Sequence, residues 1–308
     1  MAKILIATVK PFSKAAVAEV KGVFTEAGYE VEVLEKYGEQ SDLVRAVKDV
    51  DGLIIRSDKV DREVIQAAEN LKIVVRAGAG YDNVDLEAAT EKGVVVMNTP
   101  GQNSNAVAEL AFGMMVLLNR NGFNGTAGIE LRGKKLGIHA YGAVGRIVGM
   151  IGKGFGMKVY AFDPYVDRVI IENDGVVCAS SVEDLYSKCQ YVSLHIPAND
   201  QTRGSINYDL MNKMPSGATV VNTARKEVID EDSLLKIFQD REDFRYVSDI
   251  APDCKAQIAE NYEGRYFFTP KKMGAQTAEA NLNAGVAAAR QIVNFMEKGD
   301  ETFRVNKQ

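Results

Sequence analysis

The chain has 308 residues, 46% of them hydrophobic and 26% charged, which is enough for two domain-sized cores and excludes both a disulfide-stapled miniprotein and a disordered chain. Its 37 basic and 42 acidic side chains leave a net charge of −5, with no basic run longer than Lys134-Lys135 or Lys271-Lys272, so neither nucleic acid nor a membrane is the expected partner. Three cysteines (Cys178, Cys189 and Cys254) and two histidines suit neither a disulfide framework nor a zinc site, and no metal is expected. The longest apolar stretch, residues 110–118, is half a membrane span, and no signal-peptide pattern opens the chain, so a cytoplasmic protein is expected.

Residues 4–9, 31–34, 53–55, 73–75 and 94–96 read as short β-branched strands, with helical stretches such as 13–27 between them. Strands that are apolar throughout and separated by helix-length segments mean parallel βαβ units. Asn98-Thr99-Pro100-Gly101 is a turn, and Asn103-Ser104 can cap a helix over 106–119 that reads as a crossing between domains. The strand pattern restarts at 135–140, 158–162, 191–196, 219–222, 246–249 and 266–269. An Ala-rich helix over 278–296 then returns the chain to the first domain. The expected fold class is α/β, with two doubly wound parallel-sheet domains.

Two segments resemble a dinucleotide-binding turn. The stretch Gly78-Ala79-Gly80-Tyr81-Asp82-Asn83 follows a strand but lacks the third glycine, and the next strand runs into Met97-Asn98 with no acidic residue at its end. The second, Ala140-Tyr141-Gly142-Ala143-Val144-Gly145, also follows a strand and opens a helix. Asp163 stands eighteen residues after Gly145 at the end of the next strand. That spacing suits a pyrophosphate on the helix N-terminus, with Gly142 letting the backbone approach, Gly145 letting helix lie on strand, and Asp163 holding the ribose hydroxyls. Asp163 would repel a 2′-phosphate, so NAD is the expected cofactor; the same side chain can also cap the Pro164 turn. Ala140 stands where a first glycine is usual, and alanine tolerates positive φ poorly, so a slightly different turn is expected.

Ligands of open parallel sheets bind beyond the carboxyl ends of the strands. In the first domain those positions are Lys10, Arg56, Ser57, Arg76, Ala77, Gly78 and Ala79. Singly, each cation is an ordinary surface residue; together they point to a small anionic substrate. In the second domain the same rule selects His195, Ile196, Thr223, Ala224, Arg225, Asp249, Lys271 and Lys272.

At these residues the sequence resembles the D-isomer-specific 2-hydroxyacid dehydrogenase family, and its phosphoglycerate-oxidising members most closely. The resemblance rests on the segments 76–85, 98–110, 221–225 and 274–280. It implies a flavodoxin-like substrate domain from 1–98 and 278–308, a Rossmann domain over 99–277, and hydride transfer between NAD and the C2 carbon of a 2-hydroxy acid in the cleft. The implied reaction is oxidation of D-3-phosphoglycerate to 3-phosphohydroxypyruvate, in serine biosynthesis, by a homodimer. Reduction of hydroxypyruvate, glyoxylate or another 2-hydroxyacid partner, or an NAD(H)-sensing role without catalysis, are the alternatives. Carried over, Arg225 grips the substrate carboxylate, Ala143, Val144, Asp163, Ile196, Thr223 and Asp249 line the cofactor, and Arg56, Ser57 and the 76–79 loop receive the substrate's phosphate and carboxylate.

Three departures stand out. Lys272 occupies the place of the family's proton-donating histidine, before Met273-Gly274-Ala275-Gln276-Thr277. As an ammonium it can donate a proton to a developing alkoxide, or it can only bind the substrate's anionic groups. His139 and His195 lie in or beside strands and are not expected to replace it. The family's orienting glutamate is replaced by Cys254, with Asp253 beside it, and an inert thiol is expected there. The segment 120–132 is shorter than its family counterpart, and with an end at Gln308 no added regulatory domain is expected.

Overall fold

The computed structural model describes residues 1–306. The chain divides into two compact units, one of Met1–Asn103 with the chain from Ala275 on, the other of Ser104–Gly274. Residues 307 and 308, which close the expected 278–308 segment, lie outside the described residues. The boundaries follow Asn103 and Gly274 rather than residues 98 and 277, and hydrogen bonding explains the difference. The Thr99 N–H donates to the Gly78 carbonyl at 3.0 Å and Gln291 Nε2 to the Asn98 carbonyl at 3.0 Å, which ties the turn to the first unit. Thr277 Oγ1 accepts the Ala280 N–H at 3.1 Å and so belongs to the helix it caps.

In the first unit, β1 (Lys3–Thr8), β2 (Glu30–Glu35), β3 (Gly52–Ile55), β4 (Ile73–Arg76) and β5 (Val95–Asn98) form a parallel sheet in the order β2-β1-β3-β4-β5. The central strands are buried apart from Lys3 and Arg76 at their ends, and the edge strand β2 has no buried residue, as expected when helices cover both faces. Ile4, Ile6, Ile54 and Val75 meet Val20 and Phe24 of the helix Lys14–Glu26 together with Ala288 and Ile292 of the helix Ala278–Lys298 on one face. Leu5, Ala7, Leu53 and Val74 pack on the other. These two helices touch closely at Gly285, where an added Cβ would stand 2.9 Å from Val20 Cγ2 and 3.3 Å from the Phe12 ring.

The second unit holds β6 (Lys135–His139), β7 (Lys158–Phe162), β8 (Val177–Cys178), β9 (Tyr191–Leu194), β10 (Thr219–Asn222), β11 (Arg245–Ser248) and β12 (Tyr266–Phe268), in the order β12-β11-β10-β9-β6-β7-β8 and parallel throughout. Strand order reverses between β6 and β9, the switch point at which such sheets bind ligands. No strand was expected at β8, whose two residues sit at the edge with neither side chain buried. The helix Ser104–Asn119, expected to cross between domains, lies wholly in this unit against the helix Ala143–Gly154 and strands β10 to β12. Its buried face (Ala108, Ala111, Phe112, Met115) needs the sheet, so the turn before it makes the crossing. No helix among the described residues is long and apolar enough to cross a membrane.

Overpacking a close helix contact costs about 1–3 kcal/mol. Gly285→Val should therefore lower the urea midpoint of unfolding by a corresponding amount, and an unchanged midpoint would show that the two helices can separate freely.

Candidate active site

The turn after β6 is held by its neighbour strand. The Ala140 N–H donates to the Phe162 carbonyl at 2.9 Å and the Tyr141 N–H to Asp163 Oδ2 at 2.7 Å. Ala140 has φ of 79°. The turn thus keeps the left-handed residue that glycine usually supplies, and the alanine absorbs the strain instead of reshaping the turn as expected. The helix Ala143–Gly154 begins at Gly142 with no side chain capping its first N–H groups. A Cβ on Gly142 would meet nothing within 4 Å, so the space before that first turn is open. A Cβ on Gly145 would collide with the Ala140 carbonyl oxygen and lie 3.0 Å from Ile138 Cγ2, so only glycine lets this helix rest on β6.

Ala143 is exposed and Val144 half-buried beside that opening. Tyr141, expected at the cofactor, is different: its ring is buried, its hydroxyl donates to Asp174 Oδ2 at 3.2 Å, and its N–H is taken by Asp163. The aromatic body needs the core, which leaves only backbone at the turn. Asp163 also accepts the Tyr165 N–H on Oδ1 at 2.8 Å. It therefore caps the Pro164 turn and still has lone pairs for hydroxyl donors, since a carboxylate offers about four acceptor sites.

The ends of β9 to β12 carry the remaining second-unit candidates. Asn222 organises the loop after β10: its Oδ1 accepts the Ala224 N–H at 3.0 Å, and its Nδ2 donates to the Arg225 carbonyl at 2.9 Å and the Tyr246 hydroxyl at 3.1 Å. The Ala224 carbonyl then accepts from two cations, Arg225 Nη1 at 3.0 Å and Lys272 Nζ at 2.8 Å. Asp249 is fully buried. Its Oδ2 accepts the Gly274 N–H at 3.0 Å, and burial pushes its carboxyl above the ordinary range although Lys272 and Arg225 pull it back. Asp249 Oδ1 and the buried Thr223 Oγ1 have no hydrogen-bond partner among the described residues. Ile196 is buried nearby in sequence to His195, and Lys271 is exposed.

Neither histidine holds a proton at neutral pH. Burial pulls His139 down to about 4, with its Nδ1 3.3 Å from the Tyr186 hydroxyl, and burial, then repulsion from His139 when both would be protonated, pulls His195 to about 3, with its Nε2 2.9 Å from Ser193 Oγ. The residues in place of the family glutamate are engaged elsewhere. Both Asp253 oxygens meet Lys226 Nζ, at 2.6 and 2.8 Å, and Glu231 accepts the N–H groups of Asp253 and Cys254 at 2.8 Å each. Burial and Glu231 push the Cys254 thiol to about 12, which leaves it unreactive.

In the first unit, Arg56 is a brace more than an open cation. Its Nη1 donates to the Lys10 and Pro11 carbonyls at 3.0 and 3.2 Å, its Nη2 to Asn281 Oδ1, and its guanidinium lies 5.0 Å from the Phe12 ring centre. A half-buried guanidinium needs such acceptors. Arg76 Nε donates to the Arg56 carbonyl at 3.0 Å, and a Cβ on Gly78 would overlap the Arg76 guanidinium. Ala77 is buried, Ser57 and Ala79 are exposed, and Asn98 Nδ2 holds the Ala79 carbonyl at 2.6 Å. Buried Asp58, which sequence reasoning missed, accepts the Val9 N–H, the Tyr37 hydroxyl and the Arg56 N–H at 2.6, 2.8 and 3.1 Å. Asn281 and Glu231 were missed likewise, because their partners are remote in the chain.

The family of D-isomer specific 2-hydroxyacid dehydrogenases, catalytic domain, matches residues 5–306. The chain belongs to this family. D-3-phosphoglycerate dehydrogenase of Methanocaldococcus jannaschii is 35% identical over 289 residues, covering 85% of this chain and 54% of that protein. Hydroxypyruvate reductase of Thermotoga maritima is 34% identical over 290 residues, covering 88% of this chain and 92% of that protein. The crystal structure of NAD+-bound 3-phosphoglycerate dehydrogenase of Entamoeba histolytica superposes with a TM-score of 0.90 at 47% identity and covers 99% of both chains. The chain spans about half the length of the first curated relatives it matches.

Two outcomes follow for this dehydrogenase-family chain. Ala140→Gly removes the left-handed strain and should raise stability by about 1 kcal/mol in chemical denaturation; a loss of stability would contradict the strain. His139 has a folded pKa below its unfolded value, so its contribution is complete above about pH 6.5 and is lost as pH falls towards about 4. By pH 5.5 it should have cost about 1.4 kcal/mol relative to pH 7.5. His139→Gln should flatten that slope, and an identical slope would show that other groups cause it.

Proposed function

We propose that this chain oxidises D-3-phosphoglycerate to 3-phosphohydroxypyruvate with NAD. The observation that carries the reading is the pair of cations, Arg225 and Lys272, on the Ala224 carbonyl at the strand ends of a dinucleotide-type sheet. The relatives named above support it.

The residues present fit the dinucleotide. The uncapped first turn at Gly142, Ala143, Val144 and Gly145 offers N–H groups to a pyrophosphate, and Asp163 accepts from ribose hydroxyls. Ile196, Thr223, Ala224 and Asp249 would line the nicotinamide end, where Thr223 Oγ1 and Asp249 Oδ1 await polar partners. Bound NAD supplies the acceptor for the hydride that leaves C2. Arg225 binds the substrate carboxylate and polarises the C2 oxygen through a planar, permanently charged fork. Lys272, as its neutral amine, takes the hydroxyl proton while the C2–O bond becomes a carbonyl, and in the reverse direction its ammonium returns that proton. Arg56, Ser57, Arg76, Ala77, Gly78 and Ala79 receive the phosphate and carboxylate. The same reading carries a homodimer acting in the cytoplasm.

A second reading is favoured by one observation. The Arg56 guanidinium is already tied to Lys10, Pro11 and Asn281, which suits an unphosphorylated substrate such as hydroxypyruvate.

Purified protein should reduce NAD, followed at 340 nm, with D-3-phosphoglycerate and far more slowly with NADP. Silence with this substrate at alkaline pH, alongside turnover of another 2-hydroxy acid, would remove the assignment. The oxidation rate should climb as pH rises above neutrality, because a lysine base must first lose its ammonium proton, with no limb near about 6.5. Arg56→Ala separates the readings: if phosphate binds there, KM rises about tenfold or more for the phosphorylated substrate alone.

A further inference from the structure

We propose that Asp249 is the positioning residue of Lys272, because the backbone on both sides of that lysine is tied to it, on one side through its main chain and on the other through its carboxylate. The proposal rests on Lys272 being the base. Before the lysine, the Thr269 hydroxyl shares its single proton between the Asp249 and Lys271 carbonyls, each 2.8 Å from Oγ1, and the Thr269 N–H donates to the Ser248 carbonyl at 3.1 Å. After the lysine, Asp249 Oδ2 accepts the Gly274 N–H at 3.0 Å. A Cβ on Gly274 would stand 2.9 Å from Oδ2 and 3.2 Å from Val107 Cγ2, so only glycine brings this amide so close. Asp249 is itself fixed by its N–H, which donates to the Asn222 carbonyl at 3.1 Å.

A lysine stem is long and its ammonium has no preferred plane, so its position is set by its backbone and by the charges around it. Arg225 and Lys272 share the Ala224 carbonyl, and like charges at that separation repel. The Asp249 carboxylate interacts favourably with both. Asp249 is a buried carboxylate in the field of both cations, while the Asp253 carboxylate is held by Lys226. The arrangement does for a lysine what a hydrogen-bonded carboxylate does for a histidine base, through backbone ties and charge.

Two variants separate the ties from the charge. Asp249→Asn keeps an oxygen for the Gly274 N–H and removes the charge, so the ammonium loses one favourable negative charge and the alkaline limb of kcat/KM should move to lower pH by roughly one unit. Thr269→Val keeps every charge and cuts the tie to the Lys271 carbonyl; kcat should fall about tenfold, with KM for the hydroxy acid within about threefold and the limb in place. NADH affinity, followed by fluorescence titration, is the control. A limb that stays put in Asp249→Asn while only NADH affinity falls overturns the proposal, as does an unchanged kcat in Thr269→Val. Lys272→Gln distinguishes the underlying reading: loss of its limb keeps Lys272 as the base whatever Asp249 does, and an intact limb overturns both.

Discussion

One carbonyl oxygen, that of Ala224, holds two positive side chains at the end of β10. A carbonyl has two lone pairs and can satisfy both donors, but it cannot neutralise them. The chain carries a net charge of −5, so this concentration of positive charge is local and is maintained against the average character of the molecule. Parallel strands β10, β11 and β12 bring their ends into register, with Asn222 beside Ser248 and Ser248 beside Phe268. The residues that follow, from Thr223, Asp249 and Thr269 onward, are therefore neighbours by sheet geometry before any side chain acts.

The other end of the site uses backbone in place of side chains. An uncapped helix start is a reservoir of N–H groups, and it persists because the glycine before it leaves the approach clear and the glycine inside it lets helix meet strand. The cost is a strained alanine at 140, held by the carbonyl and carboxylate at the end of β7. Asp163 thus stabilises the turn even without a ligand, and its remaining lone pairs are available in a geometry set by folding.

Alternation of apolar strands with helices made both sheets legible in the sequence, since strands buried on two faces must be apolar throughout. The spacing from Gly145 to Asp163 and the strand-end rule marked the turn and the cations for the same reason: both are local consequences of a parallel sheet. Long-range pairing was not legible. Arg56 and Asn281 are 225 residues apart in sequence, and no local pattern announces that an asparagine on the last helix will take up the arginine's fork. The same holds for Glu231 with the backbone of Asp253 and Cys254, and for buried Asp58 between the ends of β1 and β3. Residue type shows that a charge must be satisfied; only the fold shows by what. The positive φ of Ala140 was misjudged because propensity is a preference that tertiary bonds override.

The first unit is discontinuous in the chain, and the second is a single uninterrupted stretch from Ser104 to Gly274. During synthesis the inserted unit can complete its core once Gly274 has left the ribosome. The sheet that began the chain must then wait, with the floor beneath Val20 and Ile54 uncovered, for the helix Ala278–Lys298 to emerge. Vectorial synthesis therefore lets the middle of the polypeptide mature before either of its ends, and leaves the nascent amino-terminal sheet exposed until the last helix arrives.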